Sequence, residues 1–239
     1  MTINHRVFKY VLLPFFLVFW SFSGISRAGI ITILPIQVGD GMGNLGNASQ
    51  QLYLDATNKI WSQAGLTFNY LPFTSIISSD FYSLDNQTEV DDLFAMAPGA
   101  SMMPKTISMW FVSGHFDAYG EVNSTAGGLS SNRIVIADSV FAEGRLDTIA
   151  HEVGHLLGLQ HDDLGVETNF LMRSGDDRIT PTLIGDIFPD GVGLDRLTAG
   201  QISTALSDAK VTAVPEPSSL ILFAGSVGIA FVRRRRGVK

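Results

Sequence analysis

Residues 151–161 read HEVGHLLGLQH and hold three of the five histidines in a chain of 239 residues. His151 and His155 are four apart, so on a helix both rings face one way, one turn from each other. That convergence suits a zinc-type ion, which takes nitrogen ligands at about 2.0–2.1 Å in a tetrahedral set. Glu152 follows the first histidine and falls beside such an ion, where a general base for an activated water belongs. Gly158 can leave the helix at positive φ with no Cβ penalty. His161 can then swing back as a third ligand, leaving a fourth position for water, whose pKa such an ion brings toward ~7. A lone HExxH can be an ordinary helical pattern. The full string H-E-x-x-H-x-x-G-x-x-H fixes five identities at set offsets, and three imidazoles buried together without an ion would each need a hydrogen-bond partner.

This string resembles the zinc site of the metzincin metallopeptidases, whose pattern ends in a histidine and a further family-typical residue, here Asp162. The resemblance implies that His151, His155 and His161 are zinc ligands, that Glu152 is the base, and that the reaction is hydrolysis of peptide bonds. It also implies a methionine-containing turn beneath the ion. Met172, eleven residues after His161, is the candidate, with a packing role for its thioether. Asp162 either holds a nearby donor in place or is a surface residue. His115 is either a further metal or specificity residue or a satisfied loop histidine, and the second is expected. Some metzincins use a tyrosine near the methionine turn. No tyrosine follows Met172, and Tyr53, Tyr70, Tyr82 and Tyr119 are too distant in sequence to be assigned a role.

The fold expected from this resemblance is α+β and metzincin-like. A twisted mixed β-sheet has backing helices, a zinc helix under the cleft and a small C-terminal subdomain. The local patterns agree in order. Ile30 to Val38 reads as a strand with Pro35 at a bend. Asp40 to Asn47 is a glycine-rich turn lacking the lysine and hydroxyl of a phosphate loop. Ala48 to Ala64 has helical spacing in Leu52, Ala56, Ile60 and Trp61. Leu66 to Phe73 alternates as a strand, which makes a parallel crossover pair with the first. Asp85 to Met96 is a helix or a long loop. Thr106 to Val112 and Arg133 to Ala137 are strands. An edge strand is expected near Ala126 to Leu129, and the resemblance would pair extended substrate there, near Gly127 to Ser130. Arg145 to Leu159 is the zinc helix. Thr198 and Gln201 have capping-box spacing at the head of a short helix running to Leu206.

Both ends of the chain read as addresses. Residues 1–28 carry His5, Arg6 and Lys9, an apolar run from Val11 to Phe19, and Ser26-Arg27-Ala28 with small residues at both cleavage positions. That is a signal-peptide layout. Val214-Pro215-Glu216-Pro217, an uncharged stretch over 218–232 and then Arg233 to Arg236 resemble a PEP-CTERM tail. The resemblance implies export by a Gram-negative bacterium, a sorting enzyme of the exosortase type as partner, and a short transmembrane segment at 218–232. The expected division is therefore a signal peptide at 1–28, a catalytic domain at 29–212 and a sorting tail at 213–239.

Without the two ends the chain keeps eight Lys and Arg against 22 Asp and Glu, a formal charge of −14. Nucleic-acid binding is excluded on that charge. Structural Ca2+ has room beside the zinc, although no EF-hand spacing occurs. With no cysteine, neither disulfides nor thiolate ligands contribute. The leading function is a zinc-dependent metalloendopeptidase acting on exported or extracellular proteins. The alternatives are a catalytically weak zinc-containing surface or matrix-associated module, and a hydrolase of a non-peptide bond.

Overall fold

The computed structural model describes residues 28–47, 51–99, 105–116, 120–122, 132–161, 167–174 and 177–214. The leader, the apolar tail, Asp162, Tyr119 and the segment expected to hold the edge strand near Gly127 lie outside these residues. Among the described residues no helix is long and apolar enough to cross a membrane.

A mixed α/β core surrounds one long strand, β1 (Gly29–Gly39). The sheet order is β2-β1-β5-β8-β7, where β2 is Leu66–Tyr70, β5 Thr106–Val112, β7 Gly120–Val122 and β8 Arg133–Ala137. Every pairing along that path is parallel except β7 with β8. β3 (Thr74–Ile77) continues the flank of β1 beyond β2, pairing with Ile36 to Gly39. A separate small sheet joins β4 (Ser83–Leu84) to β6 (Gly114–His115). Among the described residues β7, at Gly120–Val122, ends the sheet on the side of β8, and the stretch where an edge strand was expected lies outside them.

Parallel sheets are stable when both faces are covered, and here the strands sort their side chains accordingly. Ile31 and Ile33 of β1, Ile107, Met109 and Phe111 of β5, and Ile134 and Ile136 of β8 enter one buried cluster. The intervening Leu34, Ile36, Val38, Trp110, Val112, Val135 and Ala137 enter the other. α2 (Gln87–Ala95) covers the second face with Val90, Leu93 and Phe94, which decides the stretch that the sequence left open between helix and loop. Asn86 caps it by accepting from the Glu89 amide.

α1 (Gln51–Trp61) and α4 (Thr148–Leu156) cover the first face; the short α3 (Asp138–Ala142) lies between β8 and α4 in the chain. The ring of Trp61 is fully buried and donates its Nε1 proton to the Ala150 carbonyl at 3.1 Å, tying α1 to α4. α5 (Ala199–Ser207) begins with a complete capping box from Thr198 and Gln201. After it, β9 (Thr212–Ala213) returns antiparallel to the start of β1.

Trp61→Ala removes a large buried side chain and the link to Ala150. The expected loss is about 3–5 kcal/mol, read as a lower midpoint in chemical denaturation, whereas Leu52→Ala at an exposed position of the same helix should change little.

Candidate metal centre

α4 begins where Asp147 stands at the N-cap and ends in a tight left-handed turn. Gly158 has φ of 85°. Its amide donates to the His155 carbonyl, and the Leu159 amide donates to the Gly154 carbonyl, both at 3.0 Å. This pair of bonds is a Schellman closure, which glycine accommodates without strain. The turn reverses the chain so that His161 returns to the helix. The helix is shorter at both ends than the 145–159 expected from spacing, because residues 145–147 are spent on a turn and residues 157–159 on the cap.

The three histidines converge. The Nε2 atoms of His151 and His155 are 3.2 Å apart, those of His155 and His161 3.1 Å, and those of His151 and His161 3.0 Å. Nitrogens bound at about 2.0–2.1 Å in a tetrahedron lie about 3.3–3.4 Å from each other, so the set is within a few tenths of an ångström of that spacing. A triangle of this size has a circumradius of about 1.8 Å, so a point at zinc–nitrogen distance from all three lies just off its plane. Among the described residues this is the group of histidine and acidic side chains able to hold a metal; no acidic cluster joins it, and nothing supports the calcium expectation.

The opposite ring nitrogens are anchored to backbone oxygen. His151 Nδ1 lies 2.6 Å from the Leu171 carbonyl, and His155 Nδ1 lies 3.0 Å from the Leu159 carbonyl. A carbonyl only accepts, so each Nδ1 carries the proton and each Nε2 presents a bare lone pair. Burial disfavours the charged rings. His151 is held down to about 2, first by desolvation and then by the Arg178 charge. His155 and His161 are lowered as well, each first by desolvation. Neutral imidazoles are the form that ligates a metal.

Met172 is fully buried. A Cβ built on Gly154, one residue before His155, would collide with the Met172 sulfur. The helix backbone therefore rests directly on the thioether, and the residue before it supplies the carbonyl that orients His151. Glu152 is half-buried on the same helix turn as His151. His115 is buried and stacks on Phe116 with ring centroids 4.5 Å apart, outside the three-nitrogen group. Tyr53 donates to the Phe141 carbonyl at 3.2 Å, and Tyr70 packs into the core, its hydroxyl pushed up by burial.

Sequence spacing gave no sign of Arg178 or Asp195. Arg178 Nε donates to Asp147 Oδ2 at 2.6 Å, with both side chains buried. Asp195 is also buried, at φ of 57°, with its carboxyl against that of Asp147. Burial first, and the Asp147 charge second, push this carboxyl well up. It keeps its proton to higher pH than an ordinary aspartate does.

The sequence model of the PEP-CTERM protein-sorting motif matches residues 213–236, and the tail carries that motif. No curated protein matches the chain in sequence. Among solved structures, the chain is similar to metalloproteinase-II from Bacteroides fragilis at 15% identity and a TM-score of 0.46, covering 76% of this chain and 53% of that one. It is similar to a chaperone–substrate complex at 12% and 0.49, covering 77% and 34%. A zinc-dependent peptidase from Methanocorpusculum labreanum (strain Z) matches at 12% and 0.40, covering 73% of this chain and all of that one. The chain thus spans about half the length of the Bacteroides protein and about a third of the second. At scores below 0.5 these likenesses do not bear on the chemistry, which the chain's own side chains decide.

Asp195 gives a signed test. A carboxyl raised in the folded state stabilises fully below the ordinary aspartate value near 3.8 and loses that contribution as pH climbs through its folded value. Asp195→Asn, which cannot ionise, should therefore melt progressively higher than the parent as pH rises, with the difference closing near pH 4. Metal-free protein should show the opposite slope below about 6.5, where the unfolded chain protonates histidines that the folded state keeps neutral. Thermal melts from pH 4 to 8, with and without chelator, check both.

Proposed function

We propose that the chain is a zinc-dependent metalloendopeptidase of the metzincin type, exported and carried by its sorting tail. The observation that carries this reading is the meeting of three Nε2 atoms within 3.0–3.2 Å, two of them fixed by Nδ1 bonds as lone-pair donors. His151, His155 and His161 would hold the ion. When bound, zinc would polarise a peptide carbonyl and make a neighbouring water acidic. Glu152, on the first turn after His151, takes the proton of that water and returns it to the leaving amine. Water adds to the carbonyl carbon, the C–N bond breaks, and the products are a carboxylate and an amine. Asp147, Leu171 and Leu159 hold the histidine-bearing helix and its rings.

The unit that does this is residues 29–212. The PEP-CTERM motif supports export and handling of the tail by an exosortase-type enzyme, and the uncharged stretch at 218–232 followed by Arg233 to Arg236 supports attachment to a membrane. The substrate in this reading is an exported or extracellular protein.

Glu152→Gln keeps the three nitrogens and loses the base. It should bind zinc as the parent does and cleave a casein or peptide-library substrate at least about 100-fold more slowly. His161→Ala should lose metal and turnover together. A parent that contains zinc yet cleaves no peptide, with or without chelator, would instead identify a binding module. Intact mass of protein from the native host should show residues 1–28 removed and a chain ending near Pro215 to Pro217; an intact chain would refute that division.

A further inference from the structure

Asp147, Arg178 and Asp195 lie 17 to 48 residues apart in sequence, and each is at least nine-tenths hidden from solvent. Asp147 precedes the metal-site helix, and its carbonyl accepts the His151 amide at 2.9 Å, the first bond of that helix. Its side chain does not cap the helix. It turns to Arg178 instead, accepting from Nε at 2.6 Å. The same guanidinium reaches on with NH1, which donates to the Arg173 carbonyl at 3.0 Å and lies 3.0 Å from His151 Nδ1. One planar cation therefore spans three things: the start of the helix, the chain just beyond Met172, and the edge of the first histidine ring.

His151 Nδ1 already gives its proton to Leu171. Arg178 has no lone pair to accept from it and cannot form a second bond there. It acts by position. With the guanidinium against one edge of the ring and the Leu171 carbonyl ahead of it, the imidazole cannot rotate about its own axis without losing a bond or meeting the cation. The Leu171 carbonyl is itself fixed from the same side. Arg178 holds Arg173, and the Leu171 amide donates to the Arg196 carbonyl at 3.1 Å, next to Asp195. Asp195 adopts its left-handed backbone at φ of 57° where Gln63 grips its carbonyl at 2.9 Å. The backing thus reaches the ring from the helix, from the methionine turn and from the segment before α5.

Resting on the zinc reading above, we propose that Asp147 and Arg178 are positioning residues for the metal. They lock the His151 ring so that its Nε2 meets the other two nitrogens. A plain buried ion pair would hold the fold without affecting the ring; this one touches the ring.

The test uses the full-length chain with its tail, in detergent, loaded with zinc or with cobalt as a spectroscopic stand-in. Arg178→Met should release zinc to a chelator about 10–100-fold faster and shift the cobalt visible bands, which report ligand geometry. Because Arg178→Met strands a buried carboxylate, the double variant Asp147→Asn with Arg178→Met, which strands none, is measured beside it and should behave alike. Asp147→Asn alone keeps an oxygen that accepts from Arg178 Nε and should stay within about threefold of the parent, in line with a role carried by geometry. Lys59→Met, which breaks the outlying Lys59–Asp190 pair, is the control for general loosening and should leave release and spectrum unchanged. Arg178 variants that fold with parental release and parental bands would overturn the proposal alone. A parent that takes up neither metal would overturn the zinc reading with it.

Discussion

Three imidazole lone pairs aimed at one point repel each other unless a cation lies among them. That constraint organises the rest of the molecule. Two of the rings cannot relieve it by changing tautomer, because Leu171 and Leu159 each take the Nδ1 proton. Nor can the site relieve it by protonation near neutral pH, since burial disfavours the charged ring at all three positions. A fold that keeps two fixed acceptors and a third ring nitrogen 3.0–3.2 Å apart holds a geometry that a bound cation makes favourable. The structure supplies that holding from outside the cluster.

The support is mostly packing. α4 lies on the sheet through Ile149, Ala150, Val153 and Leu156, all in the larger buried cluster. Trp61 fixes its middle from α1, and Met172 presses on it at Gly154. Both histidines on the helix inherit their placement from these contacts, so the site's precision comes from a two-faced parallel core rather than from the site itself. Gly154 and Gly158 serve different ends. The first allows a close approach of sulfur to backbone, and the second allows the reversal that brings His161 back. A Cβ at Gly154 would meet the Met172 sulfur, whereas at Gly158 the positive φ, not crowding, calls for glycine.

The sequence made part of this legible. The offsets among His151, Glu152, His155, Gly158 and His161 are local, and a helix followed by a left-handed turn translates local offsets directly into space. β5 and β8 were readable because strands covered on both faces are apolar over most of their length, here Met109 to Val112 and Ile134 to Ala137, and the Thr198–Gln201 box because caps are local too. What could not be read is non-local. Arg178 meets Asp147 across 31 residues, and nothing in the spacing marks an arginine as buried. The Leu171 carbonyl belongs to the backbone and has no sequence signature at all. Met172 was identifiable only by likeness to a family; its contact with Gly154 is a fact of packing. α2 stayed ambiguous because Asp and Asn at its start suit a loop as well as a cap, and packing of Val90, Leu93 and Phe94 on the sheet decided it.

The same packing reaches the sorting tail. Lys210 is buried and donates to the Leu156 carbonyl at 2.9 Å, satisfying a carbonyl at the buried end of α4 with a cation where the helix dipole favours one. Two residues later β9 pairs with Gly29 and Ile30, and the Val214 amide donates to the Ala28 carbonyl at 2.9 Å. The motif, matched from residue 213, therefore starts inside the hydrogen-bonded sheet and not at the end of a loose linker. In the uncleaved chain Ala28 and Val214, which flank the two expected processing points, are hydrogen-bonded neighbours. The described chain up to Val214 is thus tied to the sheet through β9 and to the helix bearing His151 and His155 through Lys210.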